Sequence, residues 1–195
     1  MLHNNINNYN LILASGSPRR QQFFKDLGLD FTIELKPVDE VFPPRLRHFE
    51  ISDYLAQLKA LPFKAELKLN DILITSDTIV WNNNTALGKP KTETEAFEML
   101  KSLSNKTHEV ITSVCFTSLG FEKTVNSVTK VTFKVLTDAE INYYIKNFKP
   151  FDKAGGYGIQ EWIGYIGVSK LEGSYFNVMG LPTDVVYRVL NDMVS

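Results

Sequence analysis

The sequence predicts an α/β fold built on a mixed sheet. Short apolar runs of strand length alternate along the chain with amphipathic stretches of helix length. Two of the helical stretches open on capping-box signatures, Thr92 with Glu95 and Thr137 with Glu140. Hairpin signals, of which Asn82-Asn83-Asn84 is the clearest, add antiparallel pairs to a sheet whose other connections are helical.

In chain order, Leu11-Ile12-Leu13 reads as a buried strand, followed by Ser15-Gly16-Ser17-Pro18-Arg19-Arg20. Ser17 and Pro18 are a helix start, an N-cap hydroxyl before a first-turn proline. Phe23, Phe24 and Leu27 share the apolar face until Gly28 ends the helix. Phe31 to Leu35 is a second extended run, leading to Val38-Asp39-Glu40 and a loop around Pro43 and Pro44. Ile51 to Leu69 is mostly helical, with Tyr54, Leu55 and Leu58 on one face and Pro62 as a kink or break. Ile72-Leu73-Ile74 is a buried strand that ends at Ser76-Asp77-Thr78 and resumes at Ile79-Val80-Trp81. Such a break places Asp77 where chemistry often sits.

Thr92 to Leu103 is a helix with Ala96, Met99, Leu100 and Leu103 in its stripe. Val110 to Phe116 and Val128 to Leu136 are strands, the second alternating at Val131, Phe133 and Val135. A helix with Ile141, Tyr144, Ile145 and Phe148 on its apolar face follows Thr137. Phe151 to Tyr175 is loop-rich, with a strand-like run from Trp162 to Val168, and a helix from about Pro182 to Leu190 closes the chain. No repeat or linker divides the sequence. It reads as a single domain, residues 1–195, in which residues 1–10 are a short extension.

At 195 residues the chain has room for one large domain or two small lobes sharing a cleft. Its 44% hydrophobic and 22% charged residues are an ordinary soluble profile. No apolar run approaches membrane-spanning length and the first ten residues lack a leader's pattern, so the expected location is the cytoplasm. A net charge of -1 with scattered basic residues argues against stable nucleic-acid binding. The single cysteine, Cys115, lies in an apolar run and is expected to be buried and inert. His3, His48 and His108 have no metal-ligand spacing, and Trp81 and Trp162 are expected to pack.

Several segments carry chemistry-bearing residues. The turn after the first strand directs backbone N–H groups, two hydroxyls and two guanidiniums toward one place, which suits a phosphate; an ordinary capped helix with solvated arginines has the same pattern. Asp77 at a strand end suits a metal or a proton acceptor, and Lys89 in Gly88-Lys89-Pro90 suits a phosphate. Ala154-Gly155-Gly156-Tyr157-Gly158-Ile159-Gln160 has three glycines in four residues, and the Gln160 amide both donates and accepts, as base reading requires. Gly16 is not followed by the lysine and hydroxyl of a P-loop, and no histidine is placed for a serine triad.

Taken together, these segments resemble the Maf family of septum-formation inhibitor-like nucleotide pyrophosphatases. The motifs are Leu13-Ala14-Ser15-Gly16-Ser17-Pro18-Arg19-Arg20, Val38-Asp39-Glu40, Leu55-Ala56-Gln57-Leu58-Lys59-Ala60, Ser76-Asp77-Thr78, Leu87-Gly88-Lys89-Pro90, Lys153 to Gln160 and Glu172 to Pro182. The resemblance implies a fold akin to inosine triphosphate pyrophosphatases, an extended mixed sheet with flanking helices and two lobes around a central cleft. It implies hydrolysis of a nucleoside triphosphate between the α and β phosphates, a divalent cation (Mg²⁺ or Mn²⁺) and a homodimer. The Gly-Tyr-Gly-Ile-Gln form resembles the dTTP/UTP branch rather than the 7-methyl-GTP branch, so modified pyrimidine triphosphates are expected substrates too. An alternative in the family's name is a non-catalytic, nucleotide-binding regulator of septum formation.

Position by position, the resemblance makes Asp77 the proton acceptor and Arg19, Thr78 and Gln160 the substrate-selecting residues. Ser15, Arg20, Lys59 and Lys89 line the phosphate site, and Glu40 stands with Asp77 at the metal. Ser76 and Gly156 stand where the family usually has alanine. Lys59 fits the fuller motif, while Lys64-Ala65, five residues on, competes for the same role.

Overall fold

The computed structural model describes residues 2–195; Met1 and the side chains of His3 and Asn4 lie outside the described residues, and with them the expectation for His3. The order is α1 (Leu2–Asn5), a 3-10 turn (Ile6–Asn8), β1 (Asn10–Leu13), α2 (Pro18–Asp26), β2 (Thr32–Ile33), α3 (Phe49–Ala60) and β3 (Asp71–Asn82). Then come β4 (Thr85–Leu87), α4 (Glu93–Leu103), β5 (Thr107–Ser118), β6 (Phe121–Phe133) and α5 (Asp138–Phe148). The chain closes with α6 (Trp162–Gly167), β7 (Val168–Glu172), α7 (Tyr175–Val178) and α8 (Thr183–Met193). Among the described residues no helix is long and apolar enough to cross a membrane.

The sheet has seven strands in the order β2-β1-β3-β5-β6-β7, with β4 paired to β3. It is mixed, as the sequence predicts: β1 runs parallel to β2 and β3, while β4 and β7 are antiparallel to β3 and β6. Asn83 and Asn84 both have positive φ, 48° and 60°, which is the two-residue hairpin turn with the twist that antiparallel strands need.

The chain divides into two compact units, Met1–Asp77 with Thr112–Ser127 and Gly180–Ser195, and Thr78–Ile111 with Val128–Met179. In the first, α3 packs Ala56 and Ala60 against Ile12 of β1, Leu73 of β3 and Cys115 of β5. Small side chains bring the helix close, and Thr75 Oγ1 donates to the Ala56 carbonyl at 2.7 Å. Ser113 Oγ reaches the same helix at Ser52 and Asp53, 2.7 and 2.6 Å away. Cys115 is fully buried and burial raises its thiol pKa, so it is inert.

The second unit closes around Leu100, Leu103, Val131, Phe133, Ile141, Tyr144 and Ile163. Each fully buried aliphatic or aromatic side chain of this kind contributes roughly 1.5–3 kcal/mol. Its α5 opens on the predicted Thr137–Glu140 capping box. The box predicted at α4 forms by half: Thr92 caps Glu95 N, but the Glu95 carboxylate accepts from Lys91 N instead.

Five other expectations change. The strand expected over Val128 to Leu136 ends at Phe133, and Val135 lies outside it and exposed. The run Phe31 to Leu35 pairs with β1 only at Thr32–Ile33, and past Ile33 the partner strand has ended at Leu13. The stretch to Leu69 breaks at Pro62, as the sequence predicts, but does not resume as a helix: α3 ends at Ala60 and Leu61–Phe63 is a 3-10 turn. The strand expected to break at Asp77 is continuous from Asp71 to Asn82. What ends there is its neighbour, since β1 stops pairing at Leu13 opposite Ile74. The strand-like Trp162 to Val168 is a helix to Gly167, fitted by Gly164, where a Cβ would stand 1.8 Å from the Ile159 carbonyl oxygen.

His108 is buried in the second unit, with Nε2 2.7 Å from Tyr157 Oη and its ring edge-on to Phe133. Nδ1 is buried without a partner among the described residues, so a second ring proton has nowhere to go and burial pushes the pKa down to about 4. Between pH 6.5 and 4 the unfolded chain therefore takes up a proton that the folded one refuses. Stability is full above pH 6.5 and falls on acidification by on the order of 3 kcal/mol. Urea titrations of the wild type and of His108→Gln should show this acid limb shallower in the variant; equal slopes would rule the histidine out as its source.

Candidate active site

Ser15, Ser17, Arg19, Arg20, Glu40, Lys59 and Asp77, all singled out in the sequence, belong to the first unit. Ser17 Oγ caps α2 by accepting from Arg20 N at 3.5 Å, and Ser15 Oγ accepts from Ser17 N at 3.3 Å. Both hydroxyls thus hold the turn in shape. Arg20 folds back over it. Its Nε donates to the Gly180 carbonyl at 2.7 Å, and Nη1 donates to the Ser76 carbonyl at 3.0 Å and to Ser15 Oγ at 3.5 Å. The Ser76 carbonyl lies in the stretch of β3 beyond the end of β1, so a guanidinium takes the place of a strand. Arg20 is therefore a brace as well as a charge, a role the sequence does not reveal.

On β3, Thr75 and Asp77 are two residues apart and share a face. On α3, Ala56 and Lys59 are three apart and also share a face. The Thr75–Ala56 bond therefore brings the second pair into register, and Lys59 Nζ lies 2.6 Å from Asp77 Oδ1. The same ammonium is 3.0 Å from Glu40 Oε1. One lysine thus holds both carboxylates. Lys64, the competitor in sequence, pairs with Glu122 at 2.6 Å instead.

Asp77 is 7% exposed, and burial raises its pKa from the ordinary carboxylate value. Lys59 opposes that shift through charge and hydrogen bonding, Arg20 opposes it through charge, and Glu40 reinforces it. Burial lowers the Arg20 pKa, with Asp77 and Glu40 pulling it up and Arg19 adding to the fall. The guanidinium remains a cation at neutral pH. The cluster is a pair of carboxylates interleaved with cations, the composition expected where charge must be exchanged with a ligand.

Thr78, Lys89 and Gln160 belong to the second unit. Thr78 follows Asp77 directly in β3. Lys89 is exposed beside Gly88, whose carbonyl accepts from Gly155 N at 2.9 Å, so the lysine's loop and the glycine-rich loop are joined. Gly155 and Gly156 take positive φ there, 70° and 72°. A Cβ on Gly155 would stand 2.8 Å from Val80, which leaves no room for another residue. Gln160 is half-buried at the loop's end.

A family model for Maf-like proteins matches residues 10–193. The chain belongs to the Maf-like family. This Maf-like chain is 61% identical to the Flavobacterium johnsoniae protein named dTTP/UTP pyrophosphatase, over 100% of both chains. It is 59% identical to the Christiangramia forsetii protein of the same name, again over 100% of each. Among solved structures it is similar to the Staphylococcus aureus Ham1 protein, with TM-score 0.47 and 16% identity over 64% of this chain and 71% of that one.

Three polar residues of the Maf-like chain have no role that their sequence context reveals. Tyr144 reads as an apolar-face residue of its helix, yet its hydroxyl bonds Glu161 and Gly158 N. Lys153 and Glu161 flank the glycine motif and pair at 3.0 Å. The one signal that points to them is a charged residue on each side of a glycine run.

Ser76 is 1% exposed, and its hydroxyl has no partner among the described residues. A buried, unsatisfied hydroxyl destabilises by about 1–3 kcal/mol. Ser76→Ala is expected to raise the unfolding free energy by about 1 kcal/mol in urea titration. A decrease would show that the hydroxyl is satisfied.

Proposed function

We propose that this chain is a nucleoside triphosphate pyrophosphatase that cleaves dTTP and UTP, and modified pyrimidine triphosphates of like shape, to the monophosphate and pyrophosphate. Such an activity keeps unwanted pyrimidine nucleotides out of nucleic acids. The observation that carries the reading is the buried Asp77 carboxylate held at 2.6 Å by Lys59 in a chain of this family. Both units serve this one activity as a single functional domain.

Asp77 is the proton acceptor. An attacking water gives it a proton as the water oxygen bonds to phosphorus, and the α–β bridging bond breaks with its electron pair leaving on pyrophosphate. The raised pKa of Asp77 makes it a better base than an exposed carboxylate. A triphosphate carries about four negative charges. Ser15, Arg19, Arg20, Lys59 and Lys89 bind and offset them.

Glu40 and Asp77 share a single ammonium and offer only carboxylate oxygens, the donor type that suits Mg²⁺ or Mn²⁺. No group of three or more His, Cys, Asp or Glu side chains able to hold a metal ion occurs among the described residues. When bound, the cation supplies charge neutralisation to the phosphate oxygens. Gln160 reads the base, since its amide can donate to a carbonyl and accept from the ring N–H of uracil or thymine. Arg19 and Thr78 assist that selection.

Asp77→Asn should lower pyrophosphate release from dTTP with Mg²⁺ by about 10²–10⁴-fold. Full activity in that variant would overturn the assignment. Gln160→Ala should lower the ratio of kcat/KM for dTTP over GTP, measured by the same assay; an unchanged ratio would remove Gln160 from base reading.

A further inference from the structure

We propose that Tyr144, Glu161 and Lys153 are positioning residues for base selection: together they hold the glycine-rich loop and fix where the Gln160 amide stands. This rests on the assignment of Gln160 to the base. The three come from different places, Tyr144 from α5, Lys153 from before the loop and Glu161 from after it, all within the second unit.

Their hydrogen bonds form a chain with every direction set. Gly158 N–H donates to Tyr144 Oη at 3.0 Å, and the Tyr144 hydroxyl donates to Glu161 Oε2. Lys153 Nζ donates to Glu161 Oε1 at 3.0 Å and to Asp152 Oδ1 at 2.7 Å. Each oxygen of Glu161 therefore has one donor. Burial and the bond to Glu161 raise the Tyr144 pKa, so the phenol keeps its proton and remains a donor.

The chain meets Gln160 at Gly158. A Cβ on Gly158 would stand 3.0 Å from each of Gln160 Nε2, Glu161 Cδ and Lys153 Cε. Three polar side chains thus converge on one bare α-carbon, the Gln160 amide among them. Lys153 is only 8% exposed and has no part in the proposed chemistry. Lysine is rarely buried unless paired, and a buried pair adds little net stability against apolar residues of the same size. Its use here is geometric. With the loop fixed at Gly158 N, the following Ile159 and Gln160 inherit that position.

The test is steady-state pyrophosphate release from dTTP and GTP by wild type, Tyr144→Phe, Glu161→Gln, Gln160→Ala and the Tyr144→Phe/Gln160→Ala double variant. Loss of one such hydrogen bond corresponds to about tenfold in selectivity. Tyr144→Phe should lower the dTTP-over-GTP ratio of kcat/KM by that factor, through a higher KM for dTTP with kcat nearly kept. Added to Gln160→Ala, it should change the ratio no further. If Gln160→Ala collapses the ratio and Tyr144→Phe leaves it untouched, or if their effects simply multiply, the positioning role is wrong while the reading of Gln160 stands. If Gln160→Ala itself leaves the ratio unchanged, both fall. Thermal unfolding monitors the fold of each variant. Should Tyr144→Phe not fold, the isosteric Glu161→Gln tests the same chain of bonds, with the same fall in the ratio expected and an untouched ratio overturning the positioning role.

Discussion

The contact between Lys59 and Asp77 is the constraint on which the candidate site depends. A carboxylate taken out of water loses several kcal/mol of hydration unless a cation and hydrogen bonds replace it. Here one ammonium at 2.6 Å does so, while also holding Glu40. That placement is possible because Ala56 and Ala60 let α3 lie close to the sheet, and because the Thr75–Ala56 bond fixes helix against strand. A one-residue slip of β3 would turn Asp77 to the opposite face and leave Lys59 facing a different side chain. Packing in the first unit thus decides the protonation chemistry of one carboxylate.

Arg20 enforces the same arrangement from the other side. It bonds the Ser76 carbonyl next to Asp77, in the part of β3 that β1 no longer covers, and it ties the first turn to Gly180. A guanidinium is suited to this because its donors point in fixed directions and its charge persists when buried. Its charge favours ionised Asp77 while its bonds hold the strand. The second unit solves a different problem, since a glycine-rich loop has no side chains with which to hold itself. Its fixed points come from outside: Gly88 through Gly155, Tyr144 through Gly158, and His108 through Tyr157.

What the sequence made legible was local. The Ser17 cap, the Thr137–Glu140 box and the turn in Asn82-Asn83-Asn84 depend on residues a few positions apart, and each is found in the structure, whereas the apolar stripes hold except at Val135 and Phe148, which are exposed. The order and spacing of the motifs identified the family, which no single motif does. Distant partners left no such trace. Arg20 finds acceptors 56 and 160 residues away, and nothing in its neighbourhood announces a brace. The fuller motif favours Lys59 over Lys64, but only the fold shows the acids that each faces, Asp77 and Glu40 for Lys59 and Glu122 for Lys64. The apolar run from Trp162 to Val168 reads as strand-like, whereas the tight seat of Gly164 on the Ile159 carbonyl, five residues back, goes with a helix. At Asp77 the polar triplet resembled a chain break because periodicity cannot tell a strand's end from the end of its neighbour.

The most direct measurement of the central claim is the pH dependence of kcat/KM for pyrophosphate release from dTTP in the wild type and in Lys59→Met. Asp77 must be ionised to accept a proton, and Lys59 draws its pKa down against the effect of burial. Removing the ammonium should therefore shift the acidic limb of the profile to higher pH. An acidic limb that stays in place, or moves to lower pH, would contradict the assignment of Asp77 as the base held by Lys59.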